Sequence, residues 1–132
     1  MKHAIQEWFI QNSWAIILGI LAYIAPLQST LFFVGVVSMI DFFSGIAGAK
    51  VKGDKIQSRK MIRKFYVVFG YFCGILVSYI LEGYFGDQIP MVKAVVAIIA
   101  LTEIQSVREN ITAITGVDIL KPLERILRSK AE

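Results

Sequence analysis

The chain has 132 residues, of which 56% are hydrophobic and 18% are charged, and its formal net charge is +4. Ordinary globular domains are about 45–50% apolar, and a soluble chain of this length has little core in which to bury the excess. The basic residues lie beside long apolar runs and not on a polar face with interleaved aromatic residues, which argues against nucleic acid as a partner. The composition therefore predicts a membrane protein whose main partner is the lipid bilayer.

The first predicted helix covers residues 4–27. Its apolar part, from Trp14 to Leu27, has 14 residues and would be about 21 Å long, whereas the hydrocarbon core of a bilayer is about 30 Å thick. Extending the helix back to Trp8 supplies the missing length and places an aromatic side chain at the interface. An interfacial or re-entrant first helix is the alternative.

Further runs predict four more helices, at residues 31–49, 65–82, 91–115 and 121–130. Pro26 and the polar residues 28–30 form an uncharged break before the second helix. The 91–115 helix would be about 37 Å long, so it should leave the bilayer as an amphipathic stalk, with Gly116 as its C-terminal cap. No repeat or low-complexity linker divides the chain. The sequence thus predicts a single all-α membrane domain of about four transmembrane helices, or three, with a cytoplasmic amphipathic C-terminal extension.

Seven basic residues lie between the second and third predicted spans, against one acidic residue, Asp54. They are Lys50, Lys52, Lys55, Arg59, Lys60, Arg63 and Lys64. Such a membrane-surface basic loop stays on the cytoplasmic side and is attracted to anionic lipid headgroups. With four spans and both termini cytoplasmic, Lys93 alone of the 14 Lys and Arg residues lies outside. The charges therefore predict a multi-pass protein with the basic loop and the C-terminus in the cytoplasm.

Asp41 is the one ionisable residue within the second predicted span. A carboxylate near the bilayer centre costs about 2.5–3.5 kcal/mol on insertion scales, so it should face protein or water and is a candidate pore or intersubunit residue. A position wetted at the interface, or a hydrogen bond to a neighbouring helix, is the alternative.

Small residues spaced four apart predict close helix packing on two spans. They are Gly45 and Ala49 on the second span, and Gly70, Gly74 and Ser78 on the third, where Glu82 continues the row. The spacing leaves open whether these contacts form within one subunit or between subunits.

A second set of polar candidates lies where the fourth helix should leave the bilayer. It comprises Glu103, Arg108, Glu109 and Asn110. Paired carboxylates are a feature of acid–base catalysis, but no nucleophile, metal-ligand cluster or phosphate-binding loop accompanies them. Salt bridges within the helix or between subunits are the favoured interpretation, and we predict no enzyme activity, no cofactor and no metal.

Two motifs in this chain resemble those of the toxin-secretion/phage-lysis holin family. The first is Asp41-x-x-x-Gly45-x-x-x-Ala49, followed by a basic stretch with Ser58 and Arg63-Lys64. The second is Glu103-x-x-Ser106-x-x-Glu109-Asn110, followed by Gly116. The resemblance covers residues 41–127 and implies a small bacterial or phage inner-membrane protein that forms homo-oligomers and permeabilises the membrane. Such proteins release an endolysin or collapse the proton-motive force, and the family has no shared catalytic residues.

Two other classes of membrane protein fit the same residues. One is a non-conducting anchor, scaffold or immunity effector that recruits a soluble partner through the stalk and tail. The other is a small proton-coupled transporter that uses Asp41 and Glu82.

Overall fold

The computed structural model describes residues 2–86 and 88–129, and its regular structure there is entirely helical. The elements are α1 (Lys2–Ile24), a 3₁₀ turn (Ala25–Leu27), α2 (Gln28–Lys52), α3 (Ser58–Phe85), α4 (Met91–Thr115) and α5 (Lys121–Ser129). The predicted all-α class is confirmed. The predicted end of the last helix, at residue 130, lies outside the described residues.

Two helical stretches in the described part of the chain are long and apolar enough to cross a membrane, Asn12–Lys52 and Ser58–Phe85. In an apolar 18-residue segment of each stretch, only 6% and 11% of the residues are buried, so these stretches are not the core of a soluble fold. The α4 helix does not meet the same test, because Lys93, Glu103 and Arg108 are distributed along it. The number of spans therefore stays a prediction.

The basic segment is mostly helical, which corrects the prediction of a loop over residues 50–64. Gly53, with φ 73°, ends α2, and its N–H donates to the Ala49 and Lys50 carbonyls. The connecting loop is confined to residues 53–57, and α3 begins at Ser58. The charges did not stop the helices, since Lys and Arg are good helix formers, and basic residues in the last turn of α2 are favoured by the helix dipole.

The predicted break at Pro26 is present as a single 3₁₀ turn between α1 and α2, without a reversal of the chain. Ile24, Leu27 and Gln28 all keep right-handed helical dihedral angles, because Pro26 lies in the first turn of the 3₁₀ segment, where a proline costs no hydrogen bond. The α1 helix packs against the rest of the chain at its C-terminal end, where the Tyr23 ring centroid lies 5.4 Å from that of Tyr79. It leads into α2 and is not a fourth member of the bundle.

Helices α2, α3 and α4 form a three-helix bundle through inward faces that repeat every three and four residues. The inward positions are Leu27 in the 3₁₀ turn; Leu31, Val34, Ser38, Asp41, Gly45 and Gly48 on α2; Lys64, Val68, Tyr71, Ile75, Ser78 and Glu82 on α3; and Val92, Val95, Ile99, Glu103, Ser106 and Asn110 on α4. This spacing is the one that packs helices side by side at shallow angles. The α2 and α4 helices run parallel and α3 runs antiparallel to both.

The closest approach in the bundle is between α2 and α4. A Cβ atom added to Gly48 would lie 3.6 Å from the backbone oxygen of Asn110, and one added to Gly45 would lie 3.5 Å from the Asn110 amide nitrogen. Small residues at these two positions allow the helices to come together. Ala49, predicted with Gly45, is half-buried beside them.

The small-residue row of α3 makes no comparable approach within one chain. Gly70 has no neighbour within 4 Å of an added Cβ, and at Gly74 the nearest atom is a Val95 methyl at 4.0 Å. Ser78 is buried, and its hydroxyl donates to the Gly74 carbonyl at 2.7 Å. A close contact at Gly70 is therefore excluded within the subunit, and a contact between subunits stays a prediction.

Replacing Gly48 by leucine should separate α2 from α4, because the added side chain would meet the α4 backbone. Gly48→Ala should be tolerated, since 3.6 Å is ordinary van der Waals contact. We expect the thermal aggregation midpoint of the detergent-solubilised protein to fall for Gly48→Leu alone. Gly19→Leu, where an added Cβ meets nothing within 4 Å, is the matched control, and an equal fall for both leucine variants would contradict the α2–α4 contact.

Candidate functional site

A buried charged cluster, defined by Asp41, Lys64, Glu103 and Asn110, joins the three helices of the bundle. The Lys64 ammonium lies 2.6 Å from Asp41 Oδ2 and 2.8 and 2.7 Å from the two Glu103 oxygens. The exposed fraction of the side chain is 8% for Asp41 and 2% for Glu103. One lysine on α3 thus bridges carboxylates from α2 and α4.

Asn110 adds a second connection between α4 and α2. Its side-chain amide donates to Asp41 Oδ1 at 3.0 Å and to the Ser44 hydroxyl at 3.1 Å. Ser44 in turn donates to the Asp41 carbonyl at 3.0 Å. Both Asp41 oxygens therefore have a partner, one cationic and one neutral.

The local helix spacing places these groups together. Glu103 and Asn110 are seven residues apart on α4, which puts them on one face two turns apart. Gly45, one turn beyond Asp41, leaves room for the Asn110 side chain, whose amide would touch a Cβ there. The two motifs that identified the family resemblance therefore meet at one place in the bundle.

Burial makes the charged cluster strongly interdependent. Taking an ion out of water costs several kcal/mol, and a buried carboxylate is stable only when paired and hydrogen-bonded. Here two carboxylates share one ammonium, so with all three ionised the cluster has a net charge of −1. The cluster can hold the bundle closed, and it becomes a source of polar surface if the helices separate.

The predicted polar set on α4 is divided in the structure, which corrects its description as one cluster. Glu103 and Asn110 point into the bundle. Arg108 points to the C-terminal segment, where its Nε lies 2.8 Å from Asp118 Oδ1 and its Nη1 lies 2.9 Å from Glu124 Oε1. The Arg108 hydrogen bond lowers the pKa of Asp118, so this contact is present at neutral pH and is lost as the pH falls through that lowered value.

Glu109 is exposed and accepts a hydrogen bond from Gln105 at 3.0 Å. This is the intrahelical contact that the i, i+4 spacing favours. It leaves Glu109 outside the charged cluster, with no described contact to Asp41 or Lys64.

Glu82 has a structural role at the other end of the bundle. Its carboxylate accepts the Val92 backbone N–H at 2.9 Å and so caps the first turn of α4, where N–H groups lack helical partners. Glu82 lies 18 residues beyond Lys64 on α3, roughly 27 Å away. The structure does not bring Asp41 and Glu82 together, which removes the geometric basis for a transporter that uses both.

Lys64 is the functional residue whose role the sequence reasoning missed. It was assigned to the basic loop, whereas its ammonium is drawn into the bundle and its side chain is only 21% exposed. The signal was available in the spacing, since Lys64, Tyr71 and Ser78 are each seven residues apart. The other basic residues of the segment are exposed, as expected: Lys50, Lys52, Lys55, Arg59, Lys60 and Arg63.

Among the residues that the structure describes, no group of three or more His, Cys, Asp or Glu side chains is arranged to hold a metal ion. Two carboxylates and an ammonium in direct contact form a paired-charge arrangement that joins the three helices.

A sequence model of the bacteriophage holin family matches residues 17–130. The chain therefore belongs to the bacteriophage holin family, a class of non-enzymatic, membrane-permeabilising proteins. The match confirms the family resemblance drawn from the motifs and extends it to α1. Neither the curated proteins nor the solved structures include a match to this chain.

Removing the Lys64 charge should destabilise the bundle more than removing a neighbouring surface charge. Lys64→Gln leaves two buried carboxylates without a cation, a loss that typically costs about 3–5 kcal/mol. Arg63→Gln removes an exposed charge and should have little effect. The thermal aggregation midpoint of each variant in detergent, compared with that of the wild type, measures both effects on stability.

The double variant Asp41→Asn/Lys64→Gln tests the pairing itself. Removing the Asp41 charge should recover part of the stability lost in Lys64→Gln, because fewer unpaired charges stay buried. A double variant less stable than Lys64→Gln alone would contradict the proposed coupling.

Proposed function

We propose that this protein is a multi-pass holin of the bacterial inner membrane that self-assembles and permeabilises the membrane, releasing an endolysin or another protein or depolarising the cell. The observation that carries the proposal is the charged cluster, because its paired charges join α2, α3 and α4 inside an otherwise apolar bundle. Membership of the bacteriophage holin family supports the same function.

The surface of α1 supports a first helix embedded in lipid or in an assembly. Exposed apolar side chains lie on opposite sides of it, with Trp14, Leu18 and Leu21 on one side and Ile16, Ile20 and Tyr23 on the other. An interfacial helix would have a polar face. The surroundings of this part of α1 must therefore be apolar on all sides, which favours a transmembrane position over the interfacial alternative.

The length of the combined helix requires a bend in the membrane. Residues 12–52 form 41 residues of nearly continuous helix, about 60 Å long, which is twice the thickness of the hydrocarbon core. We propose that the chain bends at Pro26, a residue that weakens a helix at its own position. The α1 helix then crosses the bilayer first, and α2, α3 and the apolar half of α4 follow, with both termini and the basic segment cytoplasmic.

Cysteine labelling tests this topology. On a Cys73→Ser background, cysteines introduced at Gln57 and at Ser129 should be protected from a membrane-impermeant reagent in intact cells and labelled after permeabilisation. Gln57 lies in the loop between α2 and α3, and Ser129 ends α5. Labelling of either position in intact cells would overturn the topology.

Permeabilisation is proposed to begin with separation of α3 from α2, the most loosely packed pair in the bundle. Moving α3 away from α2 withdraws Lys64 from Asp41 and opens the charged cluster between these two helices. Water and neighbouring subunits can then satisfy its charges, whereas lipid cannot. The same residues would thus hold the closed subunit together and provide the polar lining of the open assembly.

A non-conducting anchor is the second candidate, and the C-terminal contacts favour it. Arg108 on α4 binds both Asp118 and Glu124, so it ties α5 to the end of the bundle. A helix held at a defined position on the cytoplasmic side is suited to recruiting a soluble partner. The permeabilisation experiment separates the two functions.

Expression of the protein should depolarise the inner membrane and admit a small dye, and Asp41→Asn should change the onset. The substitution keeps the side chain's size but removes its charge and so its attraction to Lys64. The charged cluster should therefore hold the closed subunit less tightly, and the polar lining of the open assembly would lose one charge. Membrane potential and dye entry are followed after induction at matched protein levels. Asp54→Asn, in the exposed loop, is the charge-matched control.

Two outcomes contradict parts of this proposal. An unchanged membrane potential and no dye entry at levels where the protein is oligomeric would exclude a lesion and favour the anchor. Identical onset for the wild type, Asp41→Asn and Asp54→Asn would show that the charged cluster has no part in permeabilisation.

A further inference from the structure

Two adjoining cavities lie where α2 and α3 meet the cytoplasmic loop. The first, of about 370 Å³, opens beneath the loop and has lysine and amide groups on its wall, among them Lys55, Lys60 and Asn110. The second, of about 360 Å³, lies between α2 and α3 and is lined mainly by apolar side chains such as Met39, Phe65 and Val68. Both volumes are within the range of small-molecule binding sites, about 300–1,000 Å³.

The cavities meet at shared residues. Phe42, Met61 and Lys64 line both of them. A single ligand can therefore place a polar end under the loop and an apolar end between the helices. This arrangement matches an amphipathic molecule whose polar part lies at the membrane surface.

The charge on the wall of the polar cavity favours an anionic polar end. Its charged residues are Lys55, Lys60 and Lys64 with Asp41 and Asp54. Lys64 and Asp41 are already paired with each other. Lys55 and Lys60 form no ion pair within residues 2–86 and 88–129, and Asp54 alone opposes them. Two free ammonium groups are the donors that a phosphate needs.

We propose that the two cavities together bind one anionic phospholipid. Its phosphate lies between Lys55 and Lys60, and one acyl chain occupies the space between α2 and α3. Free phosphate would leave the apolar cavity empty. A helix from a second copy could cover the apolar cavity but would leave Lys55 and Lys60 without an anion.

This inference rests on the membrane insertion of the proposed function and is independent of permeabilisation. A lipid between α2 and α3 would fill the gap in the loosest pair of the bundle. It would also lie directly against Lys64, so its presence or loss would bear on the charged cluster.

Native mass spectrometry of the detergent-solubilised protein tests the site with dioleoylphosphatidylglycerol and, in parallel, dioleoylphosphatidylcholine. We expect one phosphatidylglycerol per subunit and weaker retention of phosphatidylcholine. Lys55→Gln and Lys60→Gln should each weaken binding of phosphatidylglycerol about fivefold, the effect of one lysine near an anionic lipid surface. Gly35→Leu, which places a side chain in the apolar cavity, should abolish binding of both lipids.

Two matched control variants distinguish a specific lipid site from non-specific electrostatic attraction to anionic lipid. Arg63→Gln removes a charge from the same segment, and Gly19→Leu adds a side chain on α1; neither residue lines a described cavity. Both controls should bind as the wild type does. Equal weakening by Arg63→Gln and Lys60→Gln would reduce the effect to non-specific charge and overturn the site.

Three further results would overturn the proposal. Competition by inorganic phosphate at millimolar concentration would identify a free-anion site. Loss of the oligomer in Gly35→Leu with unchanged lipid binding would assign the apolar cavity to a second copy. Equal retention of the two lipids would exclude recognition of the anionic headgroup. Dye entry is measured on the same variants, so that loss of lipid binding is distinguished from loss of the proposed permeabilising activity.

Discussion

The arrangement of the bundle depends on the sharing of one ammonium group by two buried carboxylates. Lys64 is the only cation within salt-bridge distance of Asp41 and Glu103 in the described part of the chain. Neither carboxylate can be buried unless α3 carries the lysine to the level at which α2 and α4 present the acids. The pairing therefore sets the register of three helices whose remaining contacts are mostly apolar and would tolerate sliding.

The apolar exterior imposes the complementary constraint. Large side chains such as Trp14, Phe32 and Phe65 are 71–74% exposed, which a water-soluble protein of this size cannot sustain over whole helices. The surroundings must be lipid or other subunits. A charged cluster inside and an apolar surface outside invert the usual pattern of a soluble protein, and this inversion suits a holin, whose subunits must be stable in lipid and still offer polar groups to an assembly.

The end of the bundle that carries the α2–α3 loop concentrates the polar and charged features of the structure. The charged cluster, the exposed basic residues and both adjoining cavities lie there, whereas the opposite end has the Glu82 cap on α4 and the turn before Met91. A change at the surface of this end, such as the proposed binding or loss of a lipid, would therefore reach Lys64 directly. Lipid binding in the cavities and the ion pairs of the charged cluster can influence each other through one residue, because Lys64 belongs to both.

Much of the architecture was predictable because it depends on local composition. Apolar runs too long for a small core predict membrane helices, Gly116 adopts the positive φ of 72° expected of a helix cap, and the spacing of the two motifs predicted the family. The helix limits predicted near Lys50 and Lys64 were wrong, because they assumed that charged residues end a helix. Backbone hydrogen bonds form equally well at lysine and arginine, so α2 extends to Lys52 and α3 begins at Ser58. The predicted break at Pro26 is a single 3₁₀ turn, and it does not reverse the chain because a proline in the first turn of such a segment keeps helical dihedral angles.

The site itself depended on tertiary structure. Asp41 and Glu103 were recognised separately as costly polar residues, but their shared partner could not be derived from either segment. A salt bridge between residues 39 positions apart is set by the register of packed helices, and composition is unchanged when that register shifts. The sequence by itself determined that these charges had to be satisfied within the membrane; only the packing of α2, α3 and α4 decided that Lys64 satisfies both.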